Sequence, residues 1–134
     1  MKIVIPDWST MSALNMGFSV FEEFGEGVCC GMTKPEEAAQ KIGDAEIVLV
    51  NKTPITAEVM EQCQNLKYIG LFATGYNNID IPAATRHGIT VCNAGEYSTN
   101  AVVQHTFALL LSLAGNLRTY EKAVSDGEWE RSET

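Results

Sequence analysis

An α/β fold with a mostly parallel sheet is what this 134-residue sequence predicts. Three observations lead there. Strands and helices alternate at a regular rhythm, most strand segments are continuously apolar, and helix starts and stops carry their usual residues. The opening KIVIP is a β-branched run ended by Pro6, as in a strand covered on both faces. From Phe18 to Phe24 apolar and polar residues alternate ahead of Gly25 and Gly27, which predicts a second, more exposed strand. The segment KPEEAAQKIGDAEIVLVN then supplies a complete helix-to-strand unit. Thr33 can cap that helix, Pro35 suits its first turn, Glu36 and Glu37 favour the positive end of its dipole, and Gly43 can stop it before the strand Glu46 to Val50. Thr56 opens the next helix, which runs through Cys63, and LKYIGLFA gives the following strand before a turn at Thr74 to Asn77. The third unit has a short helix around Ile81 to His87, a stop at Gly88 and the strand ITVCN. With right-handed crossovers these units make a flavodoxin-like or Rossmann-like open sheet with helices on both faces.

From Ser98 to about Ser125 the pattern changes to one long helical segment. Val102, Leu109, Leu113 and Leu117 lie on one side of it, Val103, Phe107, Leu110 and Ala114 cover another, and Leu111 widens the band. A helix apolar over so much of its circumference needs cover from more than one direction. The tail DGEWERSET offers no strand or cap that would finish a domain, and reads as cut.

Composition narrows the function. Nine basic against 17 acidic side chains give a net charge of −8, and no Lys/Arg cluster is present to neutralise a phosphate backbone, so nucleic acid is excluded as a partner. Pro6, Asp7 and Trp8 interrupt the opening apolar run too early for a signal-peptide core. The stretch Phe107 to Leu117 is far short of the ~20 residues of a membrane span. A cytoplasmic protein without a membrane partner is expected. The cysteines at 29, 30, 63 and 92 match neither a zinc ligand set nor a Cys-x-x-Cys pair, so reduced, mostly buried thiols and no metal are expected.

A dinucleotide site needs a glycine-rich turn between strand and helix, where backbone amides can approach a pyrophosphate. The nearest stretch, Gly25-Glu-Gly27-Val-Cys-Cys30, lacks the third glycine and does not run into a helix. Asp7 after the first strand and Asn51-Lys52 after the third occupy places used by phospho-acceptor receivers, but the acidic pair and the aspartate that receive the phosphoryl group are missing. His87 stands at a helix end and His105 within the long helix, with no nucleophile at suggestive spacing, so both read as structural. The turn ATGYNNID is more informative, because it follows a buried strand at its carboxyl end, where ligands bind in open α/β sheets. Amides of Ala73 to Tyr76 can form an anion-binding nest if Gly75 supplies the unusual dihedral. A plain turn, with Asn77, Asn78 and Asp80 satisfying local backbone, explains the same residues equally well.

The stretch LKYIGLFATGYNNIDIPAATRHGITVCNAGEYSTNAVVQHTFALLL resembles the D-2-hydroxyacid dehydrogenase family, especially its hydroxypyruvate reductase (glycerate dehydrogenase) and D-lactate dehydrogenase members. Weaker agreement extends over the whole chain. The resemblance implies that residues 1–97 form a flavodoxin-like substrate-binding domain and 98–134 a long crossover helix and tail, with the nucleotide-binding domain absent. It places Ala73, Thr74, Gly75 and Tyr76 on the loop that holds the substrate carboxylate. Asn51, Lys52 and Tyr97 are implied as further walls of the substrate cleft, and Asn100, Val102 and Thr106 as contacts to the nicotinamide side of NAD (or NADP) in the complete enzyme. Departures are Gln104, where many relatives carry glutamate, and Tyr76-Asn77 in place of a pairing with aspartate. The family's catalytic histidine, its glutamate, its substrate-binding arginine and its glycine fingerprint have no counterpart here, so this chain is expected to hold no catalytic residue, to bind no cofactor tightly and to be inactive alone. The implied partner is a small 2-oxo or 2-hydroxy acid, hydroxypyruvate or glycerate first among them. A homodimer through the long helix is also expected. The alternative is a free-standing carboxylate-binding or dimerising module without catalysis.

Overall fold

The computed structural model describes residues 1–11 and 17–131. Five strands, β1 (Lys2–Ile5), β2 (Glu26–Cys29), β3 (Ile47–Val50), β4 (Tyr68–Leu71) and β5 (Thr90–Cys92), form one parallel sheet in the order β2-β1-β3-β4-β5. This is the flavodoxin-like order that the alternating units predict. Three short helices cross between strands: α1 (Ala38–Ile42), α2 (Ala57–Gln62) and α3 (Ile81–Arg86). Their buried residues Ala38, Ile42, Val59, Met60, Ala83 and Ala84 join Val4, Val48, Val50, Ile69 and Leu71 in one core. Because side chains alternate across a strand, that core uses one face of the sheet. On the other face Phe21 and Phe24 meet Ile3, Ile47, Leu49 and Tyr68 around an apolar cavity of about 350 Å³.

The local punctuation is largely as expected. Thr56 caps α2 by accepting from the Val59 amide at 3.4 Å, and Asp80 caps α3 by accepting from the Ala83 amide at 2.9 Å. Gly43 ends α1 with φ 57°, and His87 is the C-cap of α3.

Three local expectations are corrected. Phe18–Phe24 is a 3₁₀ helix, and the second strand starts only at Glu26. Its phenylalanines recur every third residue, which is the repeat of a 3₁₀ helix, so all three share a face. Gly27 is glycine for the same reason: a Cβ there would lie 1.6 Å from the Phe18 ring. Thr33 is not a helix cap. It is buried, and its hydroxyl donates to the Pro6 carbonyl, while Lys34 precedes a 3₁₀ turn, Pro35–Glu37, that leads into α1. The thiols are free but not mostly buried: Cys63 is, whereas Cys29 and Cys92 are exposed because they lie on the two edge strands.

The chain divides into two compact units, Met1–Gly95 and Glu96–Thr134. In the second, the expected single helix is two, α4 (Thr99–Ala114) and α5 (Leu117–Ser125). The break falls at Gly115-Asn116, where Asn116 takes a left-handed conformation (φ 50°) that a continuing helix cannot contain. A last helix, α6 (Glu128–Arg131), lies in the tail read as featureless, and residues 132–134 of that tail fall outside the described residues. No described helix is long and apolar enough to cross a membrane.

Two measurements check this account of the core. Ile69→Ala removes a fully buried branched side chain from β4 and is expected to cost about 2–5 kcal/mol in urea unfolding, whereas Val28→Thr on the exposed edge strand should cost less than about 1 kcal/mol. Burial pushes the Cys63 thiol up from its ordinary value, so iodoacetamide at pH 8 should leave Cys63 unmodified in the folded chain and reach it only in denaturant. Rapid labelling of Cys63 under native conditions would contradict this packing.

Candidate functional site

A parallel sheet gathers its ligand-facing groups where strands end and crossovers begin. In the order β2-β1-β3 the chain reverses its winding, so connections leave β1 and β3 toward opposite faces and a crevice opens beyond their carboxyl ends. Asp7 follows β1 there, Asn51 and Lys52 follow β3, and Ala73 to Asn78 follow β4. Asn51, Lys52, Ala73, Gly75, Asn77 and Asn78 line one cavity of about 240 Å³. Four of the seven residues assigned to substrate are thereby brought together.

The other three are placed differently. The Thr74 hydroxyl donates to the Gly95 carbonyl at 2.7 Å, and the Thr74 carbonyl accepts from Asn93 Nδ2 at 2.8 Å, so this residue pins the loop to the segment after β5. Tyr76 lines a separate cavity with Ile81, Ala84, Thr85, Ile89, Val91 and Asn93. Tyr97 belongs to the second unit and is exposed.

The nest expected at Ala73 to Tyr76 is also corrected in its details. Gly75 is not among the residues with positive φ, and a Cβ there would make only an ordinary contact, 3.4 Å from Asn77 Oδ1. The left-handed glycine is Gly95, φ 64°. What the loop does provide is a set of uncommitted donors: among the described residues none of the amides of Ala73, Thr74, Gly75 and Tyr76 donates to a protein acceptor. Lys52 is exposed beside them and forms no ion pair among the described residues. Uncommitted N–H groups and an ammonium around one small cavity can take an anion.

The neighbouring loop is built the opposite way. Asp7 is fully buried, and its carboxylate accepts from three consecutive amides: Asn51 at 3.1 and 3.2 Å, Lys52, and Thr53 at 2.7 Å. Thr10 Oγ1 donates to the Asp7 carbonyl and accepts from Asn51 Nδ2, both at 2.9 Å. On its far side the same loop receives a bond from Asn78 Nδ2 to the Thr53 carbonyl at 3.2 Å, and the Ile55 amide donates to the Asn78 carbonyl at 2.9 Å. Sequence reasoning missed Asp7, weighing it only as a phospho-acceptor. The available signal was the strand order, which sets the end of β1 beside the end of β3.

On α4, Val102 and Thr106 are one turn apart, and the Thr106 hydroxyl donates to the Val102 carbonyl at 2.8 Å. Asn100 lies about 160° around the axis from Val102, at 100° per residue, so the three residues assigned to the cofactor share no single face. Among the described residues, the glycines considered for a dinucleotide turn are otherwise engaged: Gly27 lies under Phe18, a Cβ on Gly25 would lie 2.0 Å from the Met1 carbonyl oxygen, and Gly75 is followed by a turn. His87 and His105 are both exposed, on α3's end and α4. Among the described residues no group of His, Cys, Asp and Glu is arranged to hold a metal.

The model of the D-isomer specific 2-hydroxyacid dehydrogenase catalytic domain matches residues 9–126. The chain belongs to this family. Among its relatives, a hydroxypyruvate reductase of Blautia hydrogenotrophica is 38% identical over 97% of this chain and 41% of its own length. A glycerate dehydrogenase of Methylorubrum extorquens is 33% identical over 98% of this chain and again 41% of its own. A solved acyclic imino acid reductase in complex with NADPH and D-Arg superposes with a TM-score of 0.74 at 28% identity, over 95% of this chain and 41% of that one. The chain thus spans about two fifths of the length of these relatives. Family membership and the flavodoxin-like sheet agree with the resemblance read from the ATGYNNID and YSTNAVVQHT motifs.

The clamp at Thr74 is open to a direct check. Thr74→Val deletes one neutral hydrogen bond and should lower stability by about 0.5–1.5 kcal/mol, with faster hydrogen exchange at the Ala94 amide, which donates to the Ala73 carbonyl at 3.0 Å.

Proposed function

We propose that this chain is the carboxylate-binding part of an NAD(P)-dependent reductase of small 2-oxo acids, with hydroxypyruvate as the preferred substrate. One observation carries the reading: the cavity beyond β3 and β4 is lined by Ala73 and Gly75, whose loop carries four consecutive uncommitted amides, and by Lys52, which has no ion-pair partner among the described residues. In a chain of net charge −8, such a site discriminates for a small anion by local donors and not by overall field. The 38% identity to a hydroxypyruvate reductase supports the choice of substrate. In this reading the amides of 73–76 and Lys52 Nζ hold the carboxylate and Asn51 faces the carbonyl end. Tyr97 is a further substrate contact, and Asn100, Val102 and Thr106 are contacts to the nicotinamide side of a cofactor bound mainly elsewhere. Residues 1–97 form the substrate domain and 98–134 the connection to the cofactor domain. In this reading the chain orients substrate, and the groups that exchange the hydride and proton belong to the rest of the enzyme.

The test has two parts. Purified chain should oxidise no NADH with hydroxypyruvate, glyoxylate or pyruvate, whereas hydroxypyruvate should shift the amide resonances of residues 73–76. Lys52→Ala should weaken that binding about tenfold or more, because a hydrogen bond to a charged group contributes about 1.5–3 kcal/mol. Turnover by the chain alone, or no shift at residues 73–76, would overturn the reading.

A second reading concerns α4. Phe107, Leu110, Leu111 and Leu113 are exposed by 57, 56, 65 and 81%, an apolar band of the kind that pairs with another protein surface. We propose that it pairs with a second copy of the chain. Light scattering at high concentration should then give a dimer, and a monodisperse monomer would dismiss it.

A further inference from the structure

The geometry points to Asp7 as a positioning residue that acts through the Asn51–Lys52 loop; this rests on the anion-binding reading of the cavity given above. Asp7 itself cannot touch a ligand in that cavity, because it is fully buried and is not among the residues that line it. Its two oxygens instead accept from the amides of Asn51, Lys52 and Thr53. Three consecutive amides turned to one acceptor fix the local backbone path, since each bond constrains the peptide plane that carries it. Asn51 and Lys52 line the cavity while their amides are turned to Asp7, and the Asn51 side chain is oriented further by its bond to Thr10. The division of labour follows. The β3 loop's amides are committed to Asp7 and contribute nothing to an anion, whereas the β4 loop's amides are uncommitted and are available to one.

Asparagine cannot replace aspartate here. One of its two terminal atoms is an NH₂ donor, which would face amide N–H groups where a carboxylate offers a second acceptor. In Asp7→Asn at least one of the three amides loses its partner inside the fold, the loop leaves its path and Lys52 moves away from the cavity.

The experiment uses the 134-residue chain and hydroxypyruvate as the probe. In the wild type, hydrogen exchange at the amides of residues 51–53 should be slow, and in Asp7→Asn it should rise to that of an open loop. Free exchange in the wild type would refute the tether without any variant. The dissociation constant for hydroxypyruvate should rise on the order of tenfold in Asp7→Asn, as when a group that orients a ligand-contacting side chain is lost. The decisive readout is a double-mutant cycle. Lys52→Ala in the Asp7→Asn background should weaken binding no further than Lys52→Ala alone, because both remove the same ammonium. Additive losses would mean that Asp7 only stabilises the fold. If Asp7→Asn does not fold, Thr10→Val takes its place: it frees the Asn51 side chain and should weaken binding severalfold in a chain that still folds, at a stability cost of about 1–3 kcal/mol for the two hydrogen bonds removed, and unchanged affinity would sink the positioning role. Failure of the wild type to bind hydroxypyruvate at residues 73–76 overturns the anion-binding reading and the role of Asp7 toward a ligand. Exchange at 51–53 reports on the tether alone, so the two failures are distinct.

Discussion

Parallel strands cannot be joined by tight turns, and the right-handed hand of each crossover decides which face of the sheet its connection covers. In this chain the first crossover runs outward to β2 and every later one runs the other way. The sheet therefore has one place, between β1 and β3, where neighbouring strands send their chains to opposite sides. Everything chemically distinctive in the first unit follows from that reversal. It brings the end of β1 beside the end of β3, and the next strand in line supplies the loop that completes the cavity.

The two loops around that cavity solve the problem of unpaired backbone in contrasting ways. Beyond β3 the donors are partly to fully buried and are satisfied within the protein by an aspartate without solvent exposure. The desolvation of its charge is offset because both oxygens are engaged and all partners are donors. Beyond β4 the loop from Thr74 to Asn77 is exposed, and water or a small anion can satisfy its amides. Asn93 and Gly95 hold that loop through the Thr74 carbonyl and hydroxyl, leaving its N–H groups without a protein acceptor among the described residues.

Much of this was legible in the chain's residues. Apolar runs marked the strands, Thr56, Gly43 and Gly88 marked helix ends, and the motif after β4 marked a loop that lines a cavity. The misreadings have physical causes. Phe18–Phe24 fits an alternating template over a short window, yet its real repeat is three, and only the presence of Gly27 beneath Phe18 distinguishes the two. The long helix was read through Gly115-Asn116 because apolar periodicity continues on both sides of it, while the left-handed residue that breaks it is a local event. Thr33 looked like a cap because capping and tertiary bonding use the same hydroxyl. Asp7 was opaque for a deeper reason: its partners are backbone amides 44 to 46 residues away, and backbone carries no signature in sequence.

The uncommitted donors of the β4 loop have a consequence for how such a protein can change over time. Because they are main-chain amides, their hydrogen-bonding capacity is independent of which side chains the loop carries. A substitution at Ala73 can reshape the wall of the cavity while, on the proposed reading, the carboxylate common to 2-oxo acids is still held by the same amides. On that reading a lineage can drift from one acid to another without passing through a form that binds none of them.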